Sequence, residues 1–110
     1  MVVVAPEEDP QLAKLVDHVV REMKPLEVWL FGSRAEGRAR PSSDYDILVI
    51  VRDEDLEHWL DPVRAWQVGH DAGVIADIIP CTKGDFDEEK DEIDTLPRAA
   101  YTRGMRLYAA

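Results

Sequence analysis

The sequence predicts an α/β fold, a mixed β-sheet with helices mostly on one face, and three observations predict it. Apolar runs of strand length occur at 28–31, 47–51 and 74–79. Two stretches, 12–23 and 56–66, carry apolar residues at helical spacing. The two kinds interleave in the order helix, strand, strand, helix, strand, helix, the pattern of a layered α/β domain.

Pro6-Glu7-Glu8-Asp9-Pro10 opens the first helix, because proline needs no amide partner in a first turn and acids there complement the helix dipole. Leu12, Leu15, Val16, Val19, Val20 and Met23 then share one face, opposite Lys14, Asp17, His18, Arg21 and Glu22, and Pro25 ends the run. Val28-Trp29-Leu30-Phe31 follows as a strand that stops at Gly32, and Ile47-Leu48-Val49-Ile50-Val51 is a second. Leu56, Trp59, Leu60, Val63 and Trp66 fall on one stripe, which predicts core tryptophans, with Pro62 as a kink or a break into two shorter helices. His70-Asp71-Ala72-Gly73 reads as the turn into a third strand, Val74-Ile75-Ala76-Asp77-Ile78-Ile79, and neither His58 nor His70 has a partner at metal-ligand spacing. Residues 85–94 hold seven acids and one lysine. They read as a solvated loop or exposed helix face, or more pointedly as a docking surface for a basic partner. Leu96 to Arg103 is a short helix ended by Gly104, and Met105-Arg106-Leu107-Tyr108 an extended tail.

The length of 110 residues and 45% hydrophobic content suit one domain around one core, expected over 1–110 with 1–7 as an N-terminal tail. No apolar run approaches a bilayer span, and the first six residues lack the basic start and length of a signal peptide, so no membrane association and a cytoplasmic location are expected. The single cysteine, Cys81, excludes an internal disulfide and reads as a small residue packed at a strand end. A net charge of −10 argues against extended nucleic-acid binding, which relies on lysine and arginine displacing counterions.

Chemistry concentrates at Phe31-Gly32-Ser33-Arg34 and, with ten residues between it and the serine, Asp44-Tyr45-Asp46 at the head of an apolar run. Glycine lets the backbone turn tightly and approach a ligand, the serine adds a hydroxyl, and backbone amides in such a turn form an anion-binding concavity. Arg34, Arg38 and Arg40 lie in the same connection and can neutralise phosphate; which of them turn inward the sequence leaves open. Asp44 and Asp46, two positions apart on a strand, emerge on one face, where they repel unless a hard cation such as Mg2+ sits between them. The ligand these residues favour is a metal-bound nucleoside triphosphate, and the reaction is transfer of a nucleoside monophosphate with pyrophosphate leaving, on two metals.

The pattern Gly32-Ser33-Arg34-Ala35-x-Gly37, then Ser43-Asp44-x-Asp46, resembles the signature of the DNA polymerase β nucleotidyltransferase superfamily. It is most similar to its smallest branch, the minimal nucleotidyltransferases (MNT), and the likeness extends roughly from Glu8 to Tyr108. The resemblance implies a polymerase β palm-like domain in which Gly32, Ser33 and Arg34 bind the triphosphate. Asp44 and Asp46 bind metal, and a third carboxylate comes from a later strand. Asp77 is the candidate: a charge in an otherwise apolar strand is costly without a cation or donor beside it, and it can bind metal or take the hydroxyl's proton. An aspartate simply solvated at a strand end is the plainer reading. The resemblance further implies Mg2+ and ATP, and a HEPN-type RNase toxin as partner, neutralised by attaching AMP to its tyrosine. Two other functions stay open: a non-catalytic antitoxin module acting by contact, and a small-molecule (antibiotic) nucleotidyltransferase, which would need a homo-oligomer to complete its cleft.

Overall fold

A computed structural model describes residues 9–110, so the expected tail at 1–7 and most of the Pro6-to-Pro10 helix start lie outside the described residues. Helix α1 (Pro10–Met23) starts where the Asp9 carboxylate accepts the Leu12 amide at 3.1 Å, and it ends at Lys24 in the left-handed conformation. Its buried face is Leu12, Leu15, Val16, Val19 and Met23. Strands β1 (Glu27–Phe31) and β2 (Tyr45–Val51) pair antiparallel, with Phe31 opposite Asp46 and Glu27 opposite Ile50.

A 3-10 turn at Asp53–Asp55 leads into α2 (Leu56–Trp59), and α3 (Pro62–Ala72) begins afresh. Pro62 therefore breaks the segment: Asp61 accepts the Val63 amide at 2.9 Å and Pro62 takes the first turn, the residues that suit a new helix start. The restart shifts the helical phase. Helix α3 buries Ala65, Val68, Gly69 and Ala72, leaving Val63 and Trp66 outside, while Trp59 packs against the core. The expectation of two core tryptophans is thus corrected for Trp66. The helix also runs through His70-Asp71-Ala72, read above as a turn, because Val68 and Ala72 continue its buried stripe until Gly73 closes it.

Strand β3 (Ala76–Thr82) starts two residues later than the apolar run and extends past it. It pairs parallel with β2, the α2–α3 segment supplying the crossover that parallel strands need. Part of the acidic run is helical: α4 (Lys83–Glu89) is capped by the Thr82 hydroxyl and pinned by buried Phe86. Helix α5 (Leu96–Arg103) is capped by Thr95 and ends at Gly104. The last residues are no free tail. They form β4 (Met105–Ala109), antiparallel to β1, because Leu107 is completely buried and the strand satisfies the open edge of β1.

The sheet order is β3-β2-β1-β4, four strands of mixed direction. Alternate residues of each strand divide between two cores. Val28, Leu30, Ile47, Val49, Val51 and Leu107 meet α1 and α3, with Leu56 and Trp59 of α2 at the margin. Trp29, Phe31, Leu48 and Ile50 meet Phe86 of α4 and Ala100 of α5, with the Trp29 and Phe86 rings 5.3 Å apart. Three of the five helices among the described residues, including the two longest, thus lie on one face. On the other face the buried Glu27 accepts from the Trp29 indole at 3.0 Å and pairs with Lys83 at 2.8 Å, tying α4 to β1.

Candidate active site

The crossover and register bring two of the three sequence-singled acids together. Asp46 and Asp77 are register partners on parallel strands, so their side chains leave the same face of the sheet from backbones roughly 5 Å apart. Asp46 is half-buried and Asp77 exposed. Asp44 is exposed and immediately precedes β2, which begins at Tyr45. Its charge still reaches the site. The Asp46 carboxyl is pushed above the usual carboxylate range, first by burial and then by the negative charges of Asp77 and Asp44.

Gly32 closes the other side of Asp46. With φ at +76°, it follows Phe31, the register partner of Asp46, and a Cβ there would collide with the Asp46 carboxylate. Glycine is required here twice over, by the left-handed backbone and by the close approach of the carboxylate. Residues 33–37 form successive turns, in which the Ala35 and Glu36 amides both donate to the Gly32 carbonyl at 3.1 Å. The Ser33 hydroxyl makes no hydrogen bond among the described residues and remains available to a ligand.

Arg34 is held within the loop. Its Nε and Nη2 donate to the Ser43 carbonyl at 2.9 and 2.7 Å, and its guanidinium lies 4.1 Å over the Tyr45 ring. In this arrangement it closes residues 34–43 into a loop and fixes the approach to Asp44 and Asp46. Tyr45 in turn donates to the Asp9 carboxylate at 2.8 and 2.9 Å, and burial, with Asp9 beside it, pushes its phenol up to about 12. Arg38 is exposed and pairs with Glu36 at 3.4 Å, and Arg40 is exposed as well.

The donor set fits a hard divalent cation. Oxygen ligands from a half-buried carboxylate and its registered neighbour, mutually repelling and next to the Gly32–Ser33 turn, suit an ion that keeps several positions for water and phosphate. Among the described residues no three metal-ligating side chains close into a cage. Cys81 lies outside this arrangement. Burial, then Asp85 and Glu89, push its thiol up to about 11, so it is an inert packed residue as expected.

A cavity of about 350 Å3 lies between α3 and the start of β3, lined by Asp44, Asp77, Ile75, Trp66 and His70. The last two were given no role in the sequence reading. The signal that could have found Trp66 is Asp61-Pro62, whose helix-start chemistry resets the phase and turns the indole outward.

Residues 12–97 match the nucleotidyltransferase domain family. The fold resembles that of a chain in a toxin–antitoxin complex solved with AMP-PNP, with a TM-score of 0.64 and 19% identity over 93% of this chain and 75% of the other. A candidate nucleotidyltransferase from Sulfolobus solfataricus is 30% identical over 74% of this chain and 73% of its own, with a TM-score of 0.50. No curated protein matches the sequence. With most of its length matched, and with a four-stranded mixed sheet of the polymerase β kind, the chain belongs to the nucleotidyltransferase domain family.

Proposed function

We propose that the chain, as one domain, is a magnesium-dependent transferase of AMP from ATP to a hydroxyl, its acceptor a tyrosine of a HEPN-type RNase toxin that it thereby neutralises. The observation that carries the catalytic part is the register of Asp46 with Asp77, beside a glycine that no other residue can replace without striking Asp46. Gly32 and Ser33 receive the outer phosphates on turn amides and a hydroxyl, and Arg34 holds the loop that shapes this seat. Asp44, Asp46 and Asp77 hold two magnesium ions, which supply charge neutralisation at the α-phosphate and a more acidic acceptor hydroxyl. The acceptor O–H gives its proton to Asp77; its oxygen bonds to the α-phosphorus as the bond to the β-phosphate oxygen breaks, and pyrophosphate leaves with that electron pair. Positioning and electrostatics supply the rate.

The antitoxin assignment draws on the toxin–antitoxin neighbour and on the charge of −10, which favours a basic protein partner. No helix among the described residues is long and apolar enough to cross a membrane, and a cytoplasmic setting accords with intracellular ATP. The test is incubation with α-labelled ATP and Mg2+ in a lysate of the source cell. The expected result is AMP on a basic helical protein. Label confined to a metabolite would replace the protein acceptor with a small molecule, and wild-type transfer by Asp46→Asn would remove the catalytic assignment.

A further inference from the structure

We propose that the groove between β3 and the α4–α5 pair docks a basic segment of the protein that receives the nucleotidyl group, seating one apolar side chain of that segment on its floor and lysine or arginine against its acidic walls. The inference rests on the transferase reading for the occupant's role and adds where that protein is held. Alternation along the strands sets the place. Asp46 and Leu48 leave one face of β2, and Asp77 and Ile79 the same face of β3, the face covered by Phe86 and Ala100. Leu48 and Ile79 line a cavity of about 370 Å3, within the range of small-ligand sites, roughly 300–1,000 Å3. Two residues of strand span about 7 Å, so the floor begins that far along the sheet from the carboxylate pair, on the face from which both acids project.

The walls fit that occupant. Asp85 and Glu89 of α4 line one side, Asp94 and the 43% exposed Leu96 the other, and no lysine or arginine lines the groove. Like charges four residues apart on a helix repel. The lysines of this segment do not relieve them: Lys83 pairs with Glu27 at 2.8 Å and Asp87 at 3.0 Å, and Lys90 turns to Asp87 at 4.0 Å and to the Tyr101 ring. Helix α4 thus matches Asp87 within the chain, while Asp85 and Glu89, on the groove, form no ion pair among the described residues. A floor that is apolar and walls whose charge is unmatched favour an apolar side chain flanked by cations, whose long stems cover the floor while their heads meet the carboxylates. The groove is also preformed. The Thr95 hydroxyl donates to the Glu89 carbonyl at 2.8 Å and accepts the Arg98 amide at 3.2 Å, fixing the end of α4 to the start of α5.

The probe is acetyl-Arg-Leu-Arg-Gly-Tyr-amide, titrated into the protein and followed by NMR, with Mg·AMP-PNP binding measured by calorimetry on the same samples and the same peptide carrying glutamate in place of both arginines as control. The arginine peptide is expected to shift the Ile79 and Leu96 methyl signals and to bind more weakly as salt rises, and the glutamate peptide to do neither. The double variant Asp85→Asn, Glu89→Gln should weaken peptide binding about tenfold and Leu96→Ala about threefold. Both should hold nucleotide affinity within about twofold of wild type, and the double variant should raise the KM for peptide adenylylation while kcat stays nearly constant. If the double variant weakens Mg·AMP-PNP and spares the peptide, the groove serves the nucleotide and the inference is overturned with the transferase reading intact. Peptide binding that ignores both variants, equal binding of the glutamate peptide, or shifts confined to other surfaces also overturns it. Failure of the wild-type protein to bind Mg·AMP-PNP would remove the transferase reading itself, and with it the occupant's role as acceptor.

Discussion

Asp46 is a carboxylate held where its charge is unwelcome. A group whose native pKa lies above its unfolded value binds more protons folded than unfolded across that interval, so its charge costs stability at neutral pH and the cost fades as pH falls into the carboxylate range. Asp46→Asn is therefore expected to raise the Tm of the metal-free protein at pH 7, with the gain shrinking toward acid, while lowering metal-dependent transfer about a hundredfold or more. Thermal melts across pH, paired with transfer assays, check both halves; a lower Tm at neutral pH would contradict the electrostatic account. Gly32 gives a second test. Gly37 shares the positive φ but has open space around it, so Gly37→Ala should cost only the left-handed strain, about 1–2 kcal/mol. Gly32→Ala adds a collision with the Asp46 carboxylate and should be the more destabilising by denaturant titration, and the one that abolishes nucleotide binding. The Gly-Ser and Asp-x-Asp residues were legible because their chemistry is local. That Asp44 stands outside the strand was not, since strand ends depend on where a partner begins.

The loop over 34–43 is held by one side chain. Arg34 makes two close bonds to the Ser43 carbonyl and covers the Tyr45 ring, and lysine has neither the fork nor the flat face to do both. Arg34→Lys is expected to speed proteolytic cleavage within this loop and to weaken Mg·AMP-PNP binding several-fold, measured by limited digestion and calorimetry. The closing strand gives a prediction of stability. Leu107→Ala should cost about 2–5 kcal/mol, because that side chain is 0% exposed in the main core. An unpaired tail would lose almost nothing. The misread elements share a cause: β4 depends on a partner far away in sequence, and the burial of α3 on a helical phase reset at Asp61-Pro62. Local periodicity reports neither. The α1 helix and the first two strands were readable because their patterns are long, amphipathic or fully apolar.

Across the whole molecule, the acids beside the Gly32–Ser33 turn and the charge of −10 make the metal-free state electrostatically unfavourable. A ligand at about a hundred times its Kd adds roughly 2.7 kcal/mol, so saturating Mg·ATP should raise the Tm clearly, and ATP with a chelator should not. The fold class was legible from the order of apolar runs; the convergence of Asp46 and Asp77 required knowing that β3 returns beside β2 in register. That same strand borders the sheet and carries Pro80, paired in register with Val49. Proline lacks an amide hydrogen, so this border has a gap in its row of donors, and a foreign strand cannot zip along it without interruption. The molecule can keep its reactive margin uncovered without inviting fibrous self-association.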